Sequence, residues 1–137
     1  MLGKKNSGFA LVSTFFVISL LFLVGIIVLD MMTAELKKTA YFRDSAVSYY
    51  LAEAGIQKSL AALKKDPNYS PGGGENLGDG VFEVFVEKIS PHKLKVTSQG
   101  RAGRARDTIS VVVEIFGGEK GTEIKVISWE RQGKEEI

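Results

Sequence analysis

Apolar residues follow three patterns in turn along this chain, and the first is an unbroken run. From Phe9 to Leu29 the residues carry no charge and are mostly apolar. As an α-helix rising ~1.5 Å per residue, this run reaches ~30 Å, which matches the hydrocarbon core of a bilayer. The pattern predicts a helix over residues 9–29 that can span a membrane.

The second pattern is amphipathic and continues the helix. No proline occurs between Leu29 and Pro67, and apolar or small residues recur at spacings of three and four. This periodicity places them on one helix face, which needs a partner to cover it. The residues of the expected face are Phe42, Ser45, Tyr49, Ala52, Ile56, Leu60 and Leu63. We therefore expect an amphipathic helix over residues 30–65.

The third pattern is the alternation of β-strands. A Gly/Pro-rich segment over residues 66–80 predicts a connecting loop, and the stretch 81–129 then alternates apolar and polar residues in three clear runs and a weaker fourth. Phe82, Val84 and Val86 share one face of the first run. Short turns between the runs predict an antiparallel meander. The charged residues 130–137 are predicted to be a fraying tail.

A helix with one apolar stripe and a sheet with one apolar face cover each other by packing. The sequence therefore predicts an α+β fold, in which a long N-terminal helix packs on a small antiparallel meander of three to four strands.

Composition narrows the chemistry. The chain has 18 basic and 16 acidic residues and no cysteine, and its net charge of +2 is accounted for by Lys4 and Lys5. Disulfides, thiolate metal sites and cysteine nucleophiles are excluded. His92 is the sole histidine, and Glu53 has no acid or base partner at a fixed spacing. We expect no enzyme activity, no metal and no cofactor.

One basic cluster has two interpretations. Arg101, Arg104 and Arg106, with lysines on the preceding strand, could form a basic end of the sheet that contacts DNA phosphates. A solvated hairpin is the favoured interpretation, because no aromatic residue is interleaved and acidic residues lie nearby.

The beginning of the chain allows three interpretations. A cleaved secretory signal fits poorly, since its apolar region is shorter and ends in a small-residue cleavage site that Asp30 and the residues after it do not provide. A retained anchor fits Lys4 and Lys5 on the cytoplasmic side, although basic residues beyond the run weaken the asymmetry. The third interpretation turns on Gly8, which stands between the basic residues and the apolar run.

Two motifs carry a family resemblance. Gly8 follows a short basic leader and precedes Phe9-Ala10-Leu11-Val12, and Ala52-Glu53-Ala54-Gly55 stands about forty residues further on. Over roughly residues 8–63 the chain resembles type IV pilins and pseudopilins, in particular the N-terminal region of PilX-like minor pilins. The strands after Val81 agree with that family only in general style.

The resemblance implies a leader over residues 1–8, a cut between Gly8 and Phe9 by a prepilin peptidase, and N-methylation of Phe9. It implies a single-pass protein of the bacterial inner membrane with a cytoplasmic N-terminus, and later a subunit of an envelope or surface filament. The expected partners are other pilin or pseudopilin subunits, the peptidase, the inner-membrane assembly platform and the lipid bilayer.

One position departs from the family pattern. Major pilins carry glutamate as the fifth mature residue, where this chain has Ser13. A serine cannot neutralise a buried ammonium, so the resemblance implies a low-copy, priming or tip subunit. Alternatively, Ser13 merely lines a helix contact.

The rival function is an unprocessed single-pass membrane protein whose small exported domain binds a partner.

Overall fold

The computed structural model describes residues 6–118 and 121–136. The chain divides into two compact units, Met1–Thr39 and Ala40–Ile137. One helix, α1 (Asn6–Lys65), contributes to both. The absence of proline and the good helix formers along this stretch favour its continuity.

In the first unit, α1 is apolar and uncovered. Every residue from Phe9 to Leu29 is exposed, and Phe9 itself is 79% exposed. The helix is long and apolar enough to cross a membrane. This confirms the predicted capacity for membrane association, because a helix that is apolar all round needs lipid or protein neighbours.

In the second unit, the rest of α1 accompanies a single five-stranded antiparallel sheet, with its strands in chain order. The strands are β1 (Glu75–Leu77), β2 (Gly80–Ser90), β3 (Lys93–Ala102), β4 (Ala105–Gly118) and β5 (Gly121–Glu136). The α+β prediction and the meander are confirmed.

The core lies between α1 and one face of β2, β3 and β4. The alternation predicted from the sequence holds, since Phe82 and Val84 on β2 are buried. On β4 the same face carries Ile109, Val111 and Val113, all fully buried. The helix adds Leu51, Ile56 and Leu63 to this cluster. The opposite face of the sheet is mostly polar, with cross-strand contacts such as Thr97 to Ser110 at 3.2 Å, but it also carries exposed Phe85 and Phe116.

Three details of the expectation need correction. The segment 66–80 is not all loop, because it contains β1, which pairs with the start of β2. The last strand does not end at Trp129, because β5 continues to Glu136 and pairs along β4, so residues 130–136 are not a fraying tail. Phe42 is 56% exposed and does not belong to the buried helix face.

The buried helix face is lined by small residues more than the periodicity indicated. Five of its eight buried positions are serine, alanine or glycine. The eight are Ser45, Ser48, Leu51, Ala52, Gly55, Ile56, Ser59 and Leu63. Small side chains let the helix axis approach the sheet closely.

Candidate functional site

The expected cleavage position, Gly8-Phe9, lies in the first turns of α1. Gly8 is exposed, with open space where a side chain would stand, and Phe9 is also exposed. The basic residues Lys4 and Lys5 lie outside the described residues. The peptide bond is thus uncovered by the rest of the described chain, although it lies within the helix.

Ser13 uses its hydroxyl within its own helix. Its Oγ donates to the carbonyl oxygen of Ala10 at 3.0 Å, and Thr14 Oγ1 donates to the same oxygen at 2.8 Å. A hydroxyl that already donates its hydrogen still has oxygen lone pairs that can accept a hydrogen bond. Ser13 can therefore accept a further hydrogen bond but has no hydrogen left to donate.

The Ala-Glu-Ala-Gly motif lies at a close helix–sheet contact. Ala52 is completely buried, and a Cβ added to Gly55 would stand 2.9 Å from Phe82 Cδ2 and 3.0 Å from Val84 Cγ2. Across from it, a Cβ on Gly100 of β3 would stand 2.6 Å from the backbone nitrogen of Ala52. Glu53 and Ala54 are half-buried beside this contact. The motif therefore has a packing reason in this chain.

The three arginines of the basic cluster lie at the β3–β4 hairpin. Arg101 and Arg106 are direct cross-strand partners, and Arg104 occupies the exposed turn between them. Arg101 pairs with Glu83 at 3.2 Å, and Arg106 also has an interaction partner. The turn residue Gly103, with a φ of 53°, packs against the carboxylate of Asp44. The cluster is thus brought together, but with carboxylates beside it.

An ion pair that the sequence patterns did not identify joins β4 to β5 beside the core. Asp107 of β4 is 1% exposed, and Arg131 of β5 binds its carboxylate through Nε at 3.1 Å to each oxygen and through a second guanidinium nitrogen. The guanidinium carbon also lies 4.6 Å from the ring centroid of Tyr49 on α1, a cation–π distance. Arg131 therefore links the last strand to both β4 and the helix.

Electrostatics favour the charged form of the Arg131 guanidinium. The hydrogen bonds with Asp107 raise the pKa of the Arg131 guanidinium above its ordinary value, against an opposing effect of desolvation. A raised pKa on a basic group means that its stabilising effect is complete below the unfolded-state pKa and is lost only as the pH rises through the folded-state pKa.

One feature of the sequence could have indicated that Asp107 is buried. Its spacing continues the inward-facing series of Ile109 and Val111 by one step.

His92 lies in the exposed β2–β3 turn, where its carbonyl accepts a hydrogen bond from the Ile115 nitrogen at 2.7 Å. An open cleft of about 420 Å³ adjoins it, with Tyr69 and Lys88 also in its lining. Among residues 6–118 and 121–136, no group of three or more His, Cys, Asp or Glu side chains could hold a metal ion.

Comparison with family models, with curated proteins and with solved structures finds no match for this chain.

Proposed function

We propose that this protein is a minor pilin or pseudopilin, a structural subunit of a type IV pilus or of a type II secretion-like filament. The observation that carries the proposal is a helix whose first part is apolar and exposed on all sides, while its later part is buried on one face by a sheet. A helix segment that is apolar on all sides suits a subunit that exchanges lipid for neighbouring helices, because neither the lipid nor the packed helices accept a charge.

The position of Ser13 supports a priming or tip subunit within that function. A Phe9 ammonium newly formed by cleavage needs hydrogen-bond acceptors in an apolar surrounding. Ser13 Oγ offers acceptor lone pairs but no negative charge, because its own hydrogen bonds Ala10. A neighbour's ammonium would be solvated here without being neutralised, which favours few copies over a long repeating contact.

The expected partners follow from the same proposal. The chain waits in the bacterial inner membrane with its N-terminus in the cytoplasm, is cut and N-methylated by a prepilin peptidase, and is then taken up by the assembly platform beside other pilin subunits. The exported unit stands outside the bilayer, where its mostly polar outer sheet face is compatible with water.

Mass spectrometry of the chain co-expressed with and without a prepilin peptidase tests the proposal. We expect a product that begins at N-methylated Phe9 only when the peptidase is present. Gly8→Val should block the cut, because a bulky branched residue replaces the residue before the bond, and Ala10→Val serves as the matched control that is still cut.

An intact Met1 in both samples, or a cut after Leu29, would contradict the proposal. The first result would favour the rival function of an unprocessed single-pass protein with an exported partner-binding domain. DNA binding at Arg101, Arg104 and Arg106 is a separate hypothesis, and charge reversal at the three arginines that leaves DNA binding unchanged would remove it.

A further inference from the structure

The open cleft of about 420 Å³ beside His92 lies where the inner face of the sheet is not covered by the helix. Helix α1 ends at Lys65, and Leu63 is its last buried residue. On β2 the inward-facing series continues past this point, to the half-buried Val86 and the exposed Lys88. The volume of the cleft falls within the range of ~300–1,000 Å³ that is usual for small-molecule sites.

Two walls of the cleft are held in place by hydrogen bonds. One wall is the segment after α1, where the Asn68 nitrogen donates to Asp66 Oδ1 at 2.9 Å and the Tyr69 nitrogen donates to the Asp66 carbonyl oxygen at 3.0 Å. The other wall is the β2–β3 turn, where the His92 carbonyl oxygen accepts from the Ile115 nitrogen at 2.7 Å. The cleft is therefore formed in advance of a ligand, which reduces the entropy that binding costs.

The floor of the cleft is apolar. Leu94 belongs to the buried core, and Val86 and Ile115 are partly buried against that core. Tyr69 also packs against the core and adds an aromatic side to the floor. Apolar surface of this kind is favourably removed from water by a hydrocarbon or aromatic group. The floor therefore suits the apolar body of a small ligand.

The charge of the lining has one sign. Among the described residues that line the cleft, Lys88 alone carries a full positive charge and none is acidic. Lys58 and Arg101 each pair with a glutamate, whereas Lys88 takes part in no ion pair with the described chain. The adjacent Glu87 alternates onto the opposite face of β2. An unpaired ammonium beside an apolar floor is complementary to one negative charge.

We propose that this cleft binds a small carboxylic acid that carries a short aliphatic or aromatic body. The body packs on Val86, Leu94 and Ile115, and the carboxylate accepts hydrogen bonds from the Lys88 ammonium and from the imidazole of His92. A phosphate group fits less well, because such groups are usually held by arginines or by a row of backbone N–H groups at a helix N-terminus. A monoanion matches the single lysine.

The test uses the full chain in lipid nanodiscs, with isotope-labelled histidine. His92 is the sole histidine, so it gives the only labelled ring signals. The probe is hydrocinnamate, a phenyl ring on a short chain that ends in a carboxylate, added at constant pH. We expect a saturable shift of the His92 signals, with half-saturation at roughly millimolar concentration for a ligand of this size. The uncharged amide of the same acid should bind about fivefold more weakly.

Variants separate the charge from the packing. Lys88→Gln should weaken hydrocinnamate binding about two- to fivefold. Lys88→Glu should abolish it and should admit phenylpropylamine, the matched cation, which a merely structural effect of the substitution would not do. Lys95→Gln is the control and should leave the affinity unchanged, because Lys95 alternates onto the outer face of β3. All three variants keep Trp129, whose fluorescence checks that the second unit is folded.

Four outcomes would overturn the proposal. These are no saturable shift of the His92 signals, equal binding of hydrocinnamate and its amide, equal weakening by Lys88→Gln and Lys95→Gln, and tighter binding of a short peptide that ends in a phenylalanine carboxylate. The last would assign the cleft to the chain terminus of another protein. None of these outcomes depends on cleavage at Gly8, so failure here and failure of the proposed function are distinguishable.

Discussion

Gly55 shows how one residue fixes the distance between helix and sheet. In an exposed helix a glycine is less favourable than alanine by about 1 kcal/mol. Here the missing Cβ makes room for Ser98, Phe82 and Val84, and Gly100 does the same from the sheet side. The sequence marked Ala52 to Gly55 only through a resemblance, and the close backbone approach supplies the physical reason.

Gly55→Ala should therefore destabilise the protein despite the better helix former. The added methyl group forces Ser98 of β3 and side chains of β2 to move, which costs about 1–3 kcal/mol and exceeds the gain in helix propensity. Gly25→Ala is the control, because nothing lies within 4 Å of its added Cβ. Chemical unfolding followed by Trp129 fluorescence measures both, and equal stability of the two variants would contradict the packing argument.

Arg131→Gln should cost more than any other single loss of a surface charge. It leaves the buried carboxylate of Asp107 without its cation, and breaking a wholly buried pair costs about 3–5 kcal/mol. Because the Arg131 side chain is 41% exposed, we expect about 2–3 kcal/mol.

Two further variants check this cause. Arg101→Gln breaks the more exposed pair with Glu83 and should change the free energy of unfolding by less than about 1 kcal/mol. Combining Arg131→Gln with Asp107→Asn removes the stranded charge and should recover part of the loss. A double variant no more stable than Arg131→Gln would argue against a stranded carboxylate.

At the scale of elements, β5 has the least tertiary support of the four long strands, β2 to β5. It supplies backbone pairing to β4, but among its described side chains only Thr122 and Ile124 are half-buried and none is fully buried. Regions with few buried apolar contacts open locally at low cost. We expect amide exchange over residues 121–133 to be markedly faster than over β3, measured by mass spectrometry of the full chain. Equal protection of β3 and β5 would contradict this.

The sequence predicted some of these elements better than others. Strands β2 to β4 bury one face, so their alternation is regular and predicted the core. Strand β5 buries little, and its charged end, Glu130 onward, carries no burial signal, so pairing along β4 decides its length. Phe42 has the right periodicity but lacks a strand beneath it, which periodicity alone cannot reveal.

At the scale of the whole molecule, the apolar part of α1 determines where the chain resides. Leu21→Arg places a charge near the centre of the predicted span and should cost about 2.5–3.5 kcal/mol of insertion. We expect a reduced fraction of this variant to resist alkaline extraction from membranes. Met32→Arg lies beyond residues 9–29 and is the matched control. If both variants behave alike, the assigned limits of the span are wrong.

The serines and glycines of the helix–sheet contact also have a thermal consequence. Unfolding the second unit exposes hydroxyl and peptide surface at positions such as Ser45, Ser48 and Ser59, where larger side chains would have exposed hydrocarbon. Newly hydrated apolar surface raises the heat capacity, and newly hydrated polar surface lowers it. We therefore expect the heat-capacity increment of this unit to lie below the usual ~12–15 cal/mol/K per residue. Its stability curve is correspondingly flat, so the unit loses little stability on cooling.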